Sequence, residues 1–167
     1  DSAAIKNIIS NAQGRRSLVG GSTITQQVVK NFLLSNEKSI NRKIKEAILS
    51  YRITQVFSKD KILELYLNEI FLGSRSYGVA SAAINYFNKS LNELNLEEAA
   101  FLAALPQAPS YYNPHKNLDR ALNRRNWVIE RMYEEGFLTK EDALKAITKP
   151  IKLYNRDKEE VADADFF

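Results

Sequence analysis

The chain has 167 residues, 44% hydrophobic and 26% charged, with six glycines and four prolines, enough for one domain with a real core and suggestive of long helices. With no cysteine, disulfides and thiolate metal sites are excluded, and the single histidine argues against a histidine triad or a multi-histidine metal site. The net charge of +4 and pI near 9.2 permit an anionic partner without demanding one.

No apolar run approaches the roughly 20 residues of a membrane span, and no signal-peptide pattern opens the chain. Asp1 reads as the start of a fragment, with any anchor expected outside it. Residues Asp1 to Asn11 carry Ala4, Ile5, Ile8 and Ile9 at the spacing of a short amphipathic helix. Gln13-Gly14-Arg15-Arg16-Ser17 reads as a polar, basic loop that ends at Gly20-Gly21, where Ser22 or Thr23 is a natural N-cap. On the next helix, Ile24, Val28 and Phe32 share one face, flanked by Val29 and Leu33. Thr23, Gln27, Lys30 and Asn31 cluster opposite. That polar side is either a solvated face or a ligand face. Against the first reading, a solvated face is usually rich in Glu and Lys, whereas this one offers neutral hydrogen-bonding groups and one cation. A glycine-rich entry also lets an anion approach the helix N-terminus.

Ser39 caps the next helix, expected over Ile40 to about Phe57. One apolar stripe is Ile40, Ile44, Ala47, Ile48 and Tyr51; a second is Leu49, Ile53 and Phe57, so the C-terminal half reads as buried on two sides. Arg42 and Glu46 extend the second stripe, which places them where a central helix leaves the core and meets a cleft. The plainer reading is an i,i+4 surface pair worth about 0.2–0.5 kcal/mol. Lys45 and Arg52 point to solvent. Together, the glycines, hydroxyls, amides and cations from Gly20 to Glu46 suit a large, anionic, hydroxyl-rich substrate.

Ser58-Lys59-Asp60 starts a helix expected over Lys61 to Leu72, with Gly73 at C′. It is apolar almost all round, hence buried, and Asn68 on its polar line reads as structural. Gly78 to Phe87 is an Ala-rich helix. Asn95-Leu96-Glu97-Glu98 is a capping box opening a helix to Leu105, which Pro106-Gln107-Ala108-Pro109 stops. The loop Ser110 to Pro114 comes next, with His115 beside it as a surface residue. The helix from about Leu118 to Glu135 has Ala121, Val128 and Met132 on its core face. Arg125 falls among them, and a buried arginine must be paired, so it should tie down a carboxylate or a helix C-terminus. Arg120, Arg124, Trp127 and Arg131 share another side, a candidate basic patch for a ligand whose plainer and preferred reading is an ordinary solvated face with one partly covered Trp. Gly136 closes this helix, and Thr139-x-x-Asp142 caps a last one to about Ile147. The compact region is expected over residues 1–150, with 151–167 as the start of a connector or tail. No repeat, low-complexity segment or strand is evident.

The run Gly20-Gly21-Ser22-Thr23-Ile24-Thr25-Gln26-Gln27 resembles the second signature of the peptidoglycan glycosyltransferases. These are the lysozyme-like transglycosylase domains of class A penicillin-binding proteins and the monofunctional transglycosylases (glycosyltransferase family 51). Arg42-Lys43-x-x-Glu46 resembles the third signature, Lys61-Ile62-Leu63-x-x-Tyr66-x-Asn68 the fourth, and Arg124-Arg125-x-x-Val128-Ile129 the fifth. The resemblance implies a mainly α, lysozyme-like fold. It also implies an enzyme that transfers a growing glycan to the 4-hydroxyl of lipid II, with inversion and release of polyprenyl pyrophosphate. It places Lys30, Arg42 and Lys43 at the departing diphosphate and Glu46 as an assisting catalytic glutamate. A divalent cation, Mg or Mn, is the cofactor it allows; no organic cofactor is expected. Ser22, Thr23, Gln27 and Asn31 would hold donor or acceptor groups. The implied partners are lipid II, the glycan strand, the membrane surface and a transpeptidase domain on the same chain, at the periplasmic face of the cytoplasmic membrane.

The family's first signature, Glu-Asp-x-x-Phe-x-x-His-x-Gly, carries the glutamate held to be the general base. Here Asp1-Ser2-Ala3-Ala4-Ile5 resembles the segment just downstream of that signature, so these residues alone are expected to be inactive. Two other readings compete: a lysozyme-like glycan hydrolase, and a non-catalytic module for anionic lipid. Nucleic acid is disfavoured, since aromatics are not interleaved with basic residues in a stacking pattern.

Overall fold

The computed structural model describes residues 22–33 and 40–154. Gly20, Gly21, Leu33's side chain, the cap at Ser39, the helix expected over Asp1 to Asn11 and the tail beyond Tyr154 lie outside what it describes. Its described residues form seven α-helices and no strand beyond one isolated bridge. The helices are α1 (Ile24–Leu33), α2 (Ile40–Val56), α3 (Lys59–Glu69), α4 (Val79–Phe87), α5 (Leu96–Ala104), α6 (Leu118–Glu134) and α7 (Lys140–Thr148). The mainly α class expected from the sequence is what is found. The chain divides into two compact units, residues 1–66 and 67–167, with the boundary inside α3.

In the first unit, Thr23 is the N-cap of α1. Its hydroxyl accepts from the Gln26 N–H at 3.2 Å, and the Gln26 amide oxygen accepts from the Thr23 N–H at 3.0 Å. This reciprocal pair satisfies two of the donors that a helix N-terminus leaves open. The helix buries Val28 and Val29, while Ile24 and Phe32 stay exposed, so its apolar face is narrower than the spacing suggests. It packs against α2.

On α2 the outcome departs from the expectation. Ile40, Ile44, Ile48 and Tyr51 are exposed, and so is Phe57. The residues this helix buries are Glu46 and Ser50, with Arg42, Leu49 and Ile53 half-buried beside them. Periodicity groups residues by face but does not say which face a neighbour covers. Here the covered face is the one continuing Arg42 and Glu46. The Ser50 hydroxyl donates to the Glu46 carbonyl at 2.6 Å, spending its polar group within the helix.

Ser58 caps α3 by accepting from the Lys61 N–H at 3.2 Å. The helix ends at Glu69 rather than Leu72, and Ile62 is its buried residue. Leu63 is 42% exposed, so the helix is not buried all round. Asn68 is exposed and its side chain makes no hydrogen bond among the described residues, which removes the structural role expected of it.

In the second unit, the backbone after α3 reverses through a tight loop. The Leu72 N–H donates to Ser76 at 2.9 Å, Ser76 to Gly73 at 2.7 Å, and Gly78 to Ile70 at 2.9 Å. Gly73 belongs to this loop and is not the C′ residue of α3. Gly78 is the N-cap of α4 at φ +77°, and a Cβ there would collide with the Asn68 carbonyl. Gly78→Ala should therefore cost at least about 1–3 kcal/mol, read as a lowered urea midpoint; an unchanged midpoint would refute the strain.

The small residues Ala82, Ala83, Ala100 and Ala104 are buried together with Tyr86, Phe87 and Phe101. Phe101 meets the edges of Tyr86 at 5.5 Å and Phe87 at 5.7 Å between centroids, the T-shaped geometry aromatic rings prefer. A second cluster joins Ala100, Ile129, Ala143 and Ala146 across α5, α6 and α7. Asn95 and Thr139 cap α5 and α7 as expected.

Arg125 is buried in α6. Its guanidinium donates to the carbonyls of Ile147 at 2.9 Å and Lys149 at 2.8 Å and to the Asn126 side chain. The expected tie to a helix C-terminus is that of α7. Two ion pairs tie α5 to neighbouring segments, Lys149 to Glu97 at 3.2 Å and Lys89 to Glu98 at 2.7 Å. The Tyr154 N–H donates to the Tyr86 carbonyl at 2.8 Å, so residues 149–154 are strapped down at both ends.

Candidate functional site

The start of α1 and the first half of α2 bring four of the expected site residues into one constellation. Lys43 lies three residues before Glu46, on the same side of α2. Its ammonium donates to Glu46 Oε1 at 2.6 Å and to the Ser22 hydroxyl at 3.2 Å. The Gln27 amide donates to the Ser22 carbonyl at 3.4 Å. Lys43 thus links Ser22, the residue before the N-cap of α1, to Glu46 on α2.

Burial differs sharply across this group. Glu46 is 1% exposed, while the Lys43 side chain is 55% exposed. A carboxylate that deep is costly unless paired, and Lys43 supplies the pair while keeping its ammonium open to a ligand. Glu46 Oε2 is buried with no hydrogen-bond partner among the described residues. The ion pair that Glu46 makes is the i,i+3 one with Lys43, whereas the plainer reading of the sequence pairs it with Arg42 at i,i+4.

The other expected residues are placed less tightly. Arg42 is half-buried on α2. Lys30 and Asn31 are exposed at the end of α1, and no hydrogen bond joins them to Ser22, Lys43 or Glu46 among the described residues. The Thr23 hydroxyl is engaged in the cap. Chemically, the site offers an ammonium fixed between a carboxylate and a hydroxyl. Further cations lie on the same two helices. Such a set receives an anion and hydroxyl-bearing groups.

Sequence reasoning missed an apolar groove of about 390 Å³ beside the α1 N-terminus. Thr23, Ile24, Thr54, Lys59, Ile62 and Leu63 line it. Three separate helices contribute these side chains, so no single periodicity could reveal it. In the second unit, Arg125 is a structural clamp, and His115 is exposed, its ring stacked 6.3 Å from that of Tyr86.

Comparisons with known proteins bear on this arrangement. The family model described as Transglycosylase matches residues 2–133. Penicillin-binding protein 1A of Rickettsia felis is 58% identical over 165 residues, covering 99% of this chain and 21% of that protein. Penicillin-binding protein 1A of Aquifex aeolicus is 50% identical over 161 residues, covering 96% of this chain and 22% of that protein. The crystal structure of penicillin-binding protein 1A from Haemophilus influenzae superposes with a TM-score of 0.56 at 39% identity, over 89% of this chain and 20% of that one. The chain spans about a fifth of the length of these relatives. No helix among the described residues is long and apolar enough to cross a membrane.

Proposed function

The chain belongs to the transglycosylase family, and from that premise we propose that its protein polymerises lipid II into glycan strands at the outer face of the cytoplasmic membrane. In the step proposed, the 4-hydroxyl of the acceptor sugar attacks the anomeric carbon of the donor. The bond from that carbon to the diphosphate breaks, the electron pair leaves with polyprenyl pyrophosphate, and the hydroxyl proton passes to a general base. The base is the glutamate of the family's first signature, for which residues 1–167 hold no carboxylate in a matching context.

The observation that carries this reading is the Lys43 ammonium held between Glu46 and Ser22. A cation fixed before the reaction can stabilise the charge that grows on the departing diphosphate without reorganising, which is where electrostatic catalysis gains most. Glu46 sets the position of Lys43. Lys30 and Arg42 add charge for the same anion, and Ser22, Thr23, Gln27 and Asn31 offer hydrogen bonds to sugar groups. The apolar groove by Thr23 suits the isoprenoid chain. A transpeptidase domain on the same protein is part of the proposal.

Glu46 Oε2, buried and without a hydrogen-bond partner among the described residues, fits one ligand of a divalent cation such as Mg or Mn. Mg is commonly held by one or two carboxylates together with substrate phosphates. Bound there, the ion would neutralise diphosphate charge. The described residues contain no group of three acidic or histidine side chains to hold it unaided.

The test is polymerisation of labelled lipid II by a polypeptide extended upstream to include the Glu-Asp-x-x-Phe signature. Long glycan products are expected from it, and none from residues 1–167 alone. Shortening of preformed glycan would instead support the hydrolase reading. Robust polymerisation by residues 1–167 would refute the role given to the upstream glutamate.

A further inference from the structure

The face of α6 that the sequence offers as a basic patch, with a solvated face as the preferred reading, is an organised groove. Tyr111, Arg120, Arg124 and Trp127 line an open cleft of about 560 Å³ in the second unit, with Asp119 and Asn123 on its walls. One helical turn separates the two arginines. The Arg120 guanidinium lies 3.9 Å from the Tyr111 ring centroid, and that of Arg124 lies 3.9 Å from Trp127 and 5.9 Å from Tyr112. Stacking occupies the face of a guanidinium and leaves its N–H edge, the part that binds carboxylate and phosphate oxygens in a fork.

Those edges are unspent. Among the described residues neither arginine has a carboxylate within ion-pair distance, although Arg131, the second cation on Trp127 at 5.4 Å, is taken by Glu134 at 2.7 Å. Nε of Arg124 is buried with no hydrogen-bond partner among the described residues. Trp127 and Tyr111 remain 43% and 54% exposed, so aromatic surface is still available beside the cations. Asp119 decides what kind of anion fits. A carboxylate inside the groove repels a dense phosphate surface, but it accepts hydrogen bonds from hydroxyls, as the Asn123 amide also can.

We propose that this groove binds an acidic saccharide, a pyranose chain bearing carboxylates, through Arg120 and Arg124. Asp119 and Asn123 take the sugar hydroxyls, and the rings give apolar contact. The groove chemistry stands by itself; the choice of a muramyl compound as one probe rests on the glycosyltransferase reading.

Trp127 is the only tryptophan of the chain, so its fluorescence reports on the groove directly. The full chain is titrated with N-acetylmuramic acid, oligogalacturonate, a neutral N-acetylglucosamine oligomer and phosphatidylglycerol vesicles. A saturable change is expected with an acidic saccharide, at least tenfold weaker with the neutral oligomer. Arg120→Gln and Arg124→Gln should each raise Kd fivefold or more with the helical circular dichroism unchanged. Saturation by oligogalacturonate but not N-acetylmuramic acid would uphold the groove and overturn only a muramyl ligand for it. No saturation by either acidic saccharide, equal affinity for the neutral oligomer, or response to vesicles alone would overturn the proposal. Should a variant lose its helical signal, the unaltered chain decides: acidic-saccharide binding that weakens with salt upholds the proposal, and salt-insensitive binding overturns it.

Discussion

Replacing Glu46 by glutamine, in a polypeptide that also carries the upstream signature, is expected to lower lipid II turnover by about 10²–10³-fold, the range seen when one preorganised electrostatic group is removed. The substitution keeps the shape of the side chain and an oxygen that can accept from Lys43. It removes the charge that holds the ammonium at 2.6 Å. Because the Lys43 side chain is 55% exposed, a released ammonium returns to water and stops serving the diphosphate. The same exposure limits the structural damage, so the melting temperature should change little. Steady-state turnover and a thermal melt on the same sample separate the two effects. Near-normal turnover would remove Glu46 from the mechanism.

Arg125→Met should be strongly destabilising in the second unit, costing about 3–5 kcal/mol, as breaking a buried charged network does. Methionine fills most of the volume, but the carbonyls of Ile147 and Lys149 lose their donors. Glu97 also loses the favourable charge of the guanidinium. For a chain of this length the loss corresponds to a melting temperature lower by on the order of 10 °C. A melt within two or three degrees of the original would show that water or Lys149 replaces the clamp.

How much the sequence revealed depends on how local each feature is. The caps at Thr23, Asn95 and Thr139 were legible because the bonds span three residues and need no tertiary partner. Arg125 was legible as a tie because a cation among apolar positions has few alternatives. The α2 helix was misread because a stripe such as Ile40, Ile44, Ile48 and Tyr51 fixes a common face, and only the packing of α1 decides which face is covered. The end of α3 was misplaced because Ile70 and Leu72 are drawn into a loop by bonds to Gly78 and Ser76, which helical spacing does not encode. Within the site, the alignment of Glu46 with Leu49 and Ile53 was visible, whereas its pairing with Lys43 was not, since i,i+3 and i,i+4 partners compete on equal terms. The groove on α6 was hidden because Tyr111 and Tyr112 come from a loop well before the arginines they meet.

The strap at residues 149–154 also bears on the order of assembly. Its ion pair, Lys149 with Glu97, spans 52 residues, and closing a loop of that length costs about 3.5 kcal/mol in chain entropy from the length-dependent part alone. An ion pair with one partner half in water returns only about 1 kcal/mol. The contact therefore cannot nucleate anything. The docking of α5, α6 and α7, neighbours along the chain, must come first and shorten the effective loop. The strap then closes over a unit that has already formed, as a late lock rather than a seed.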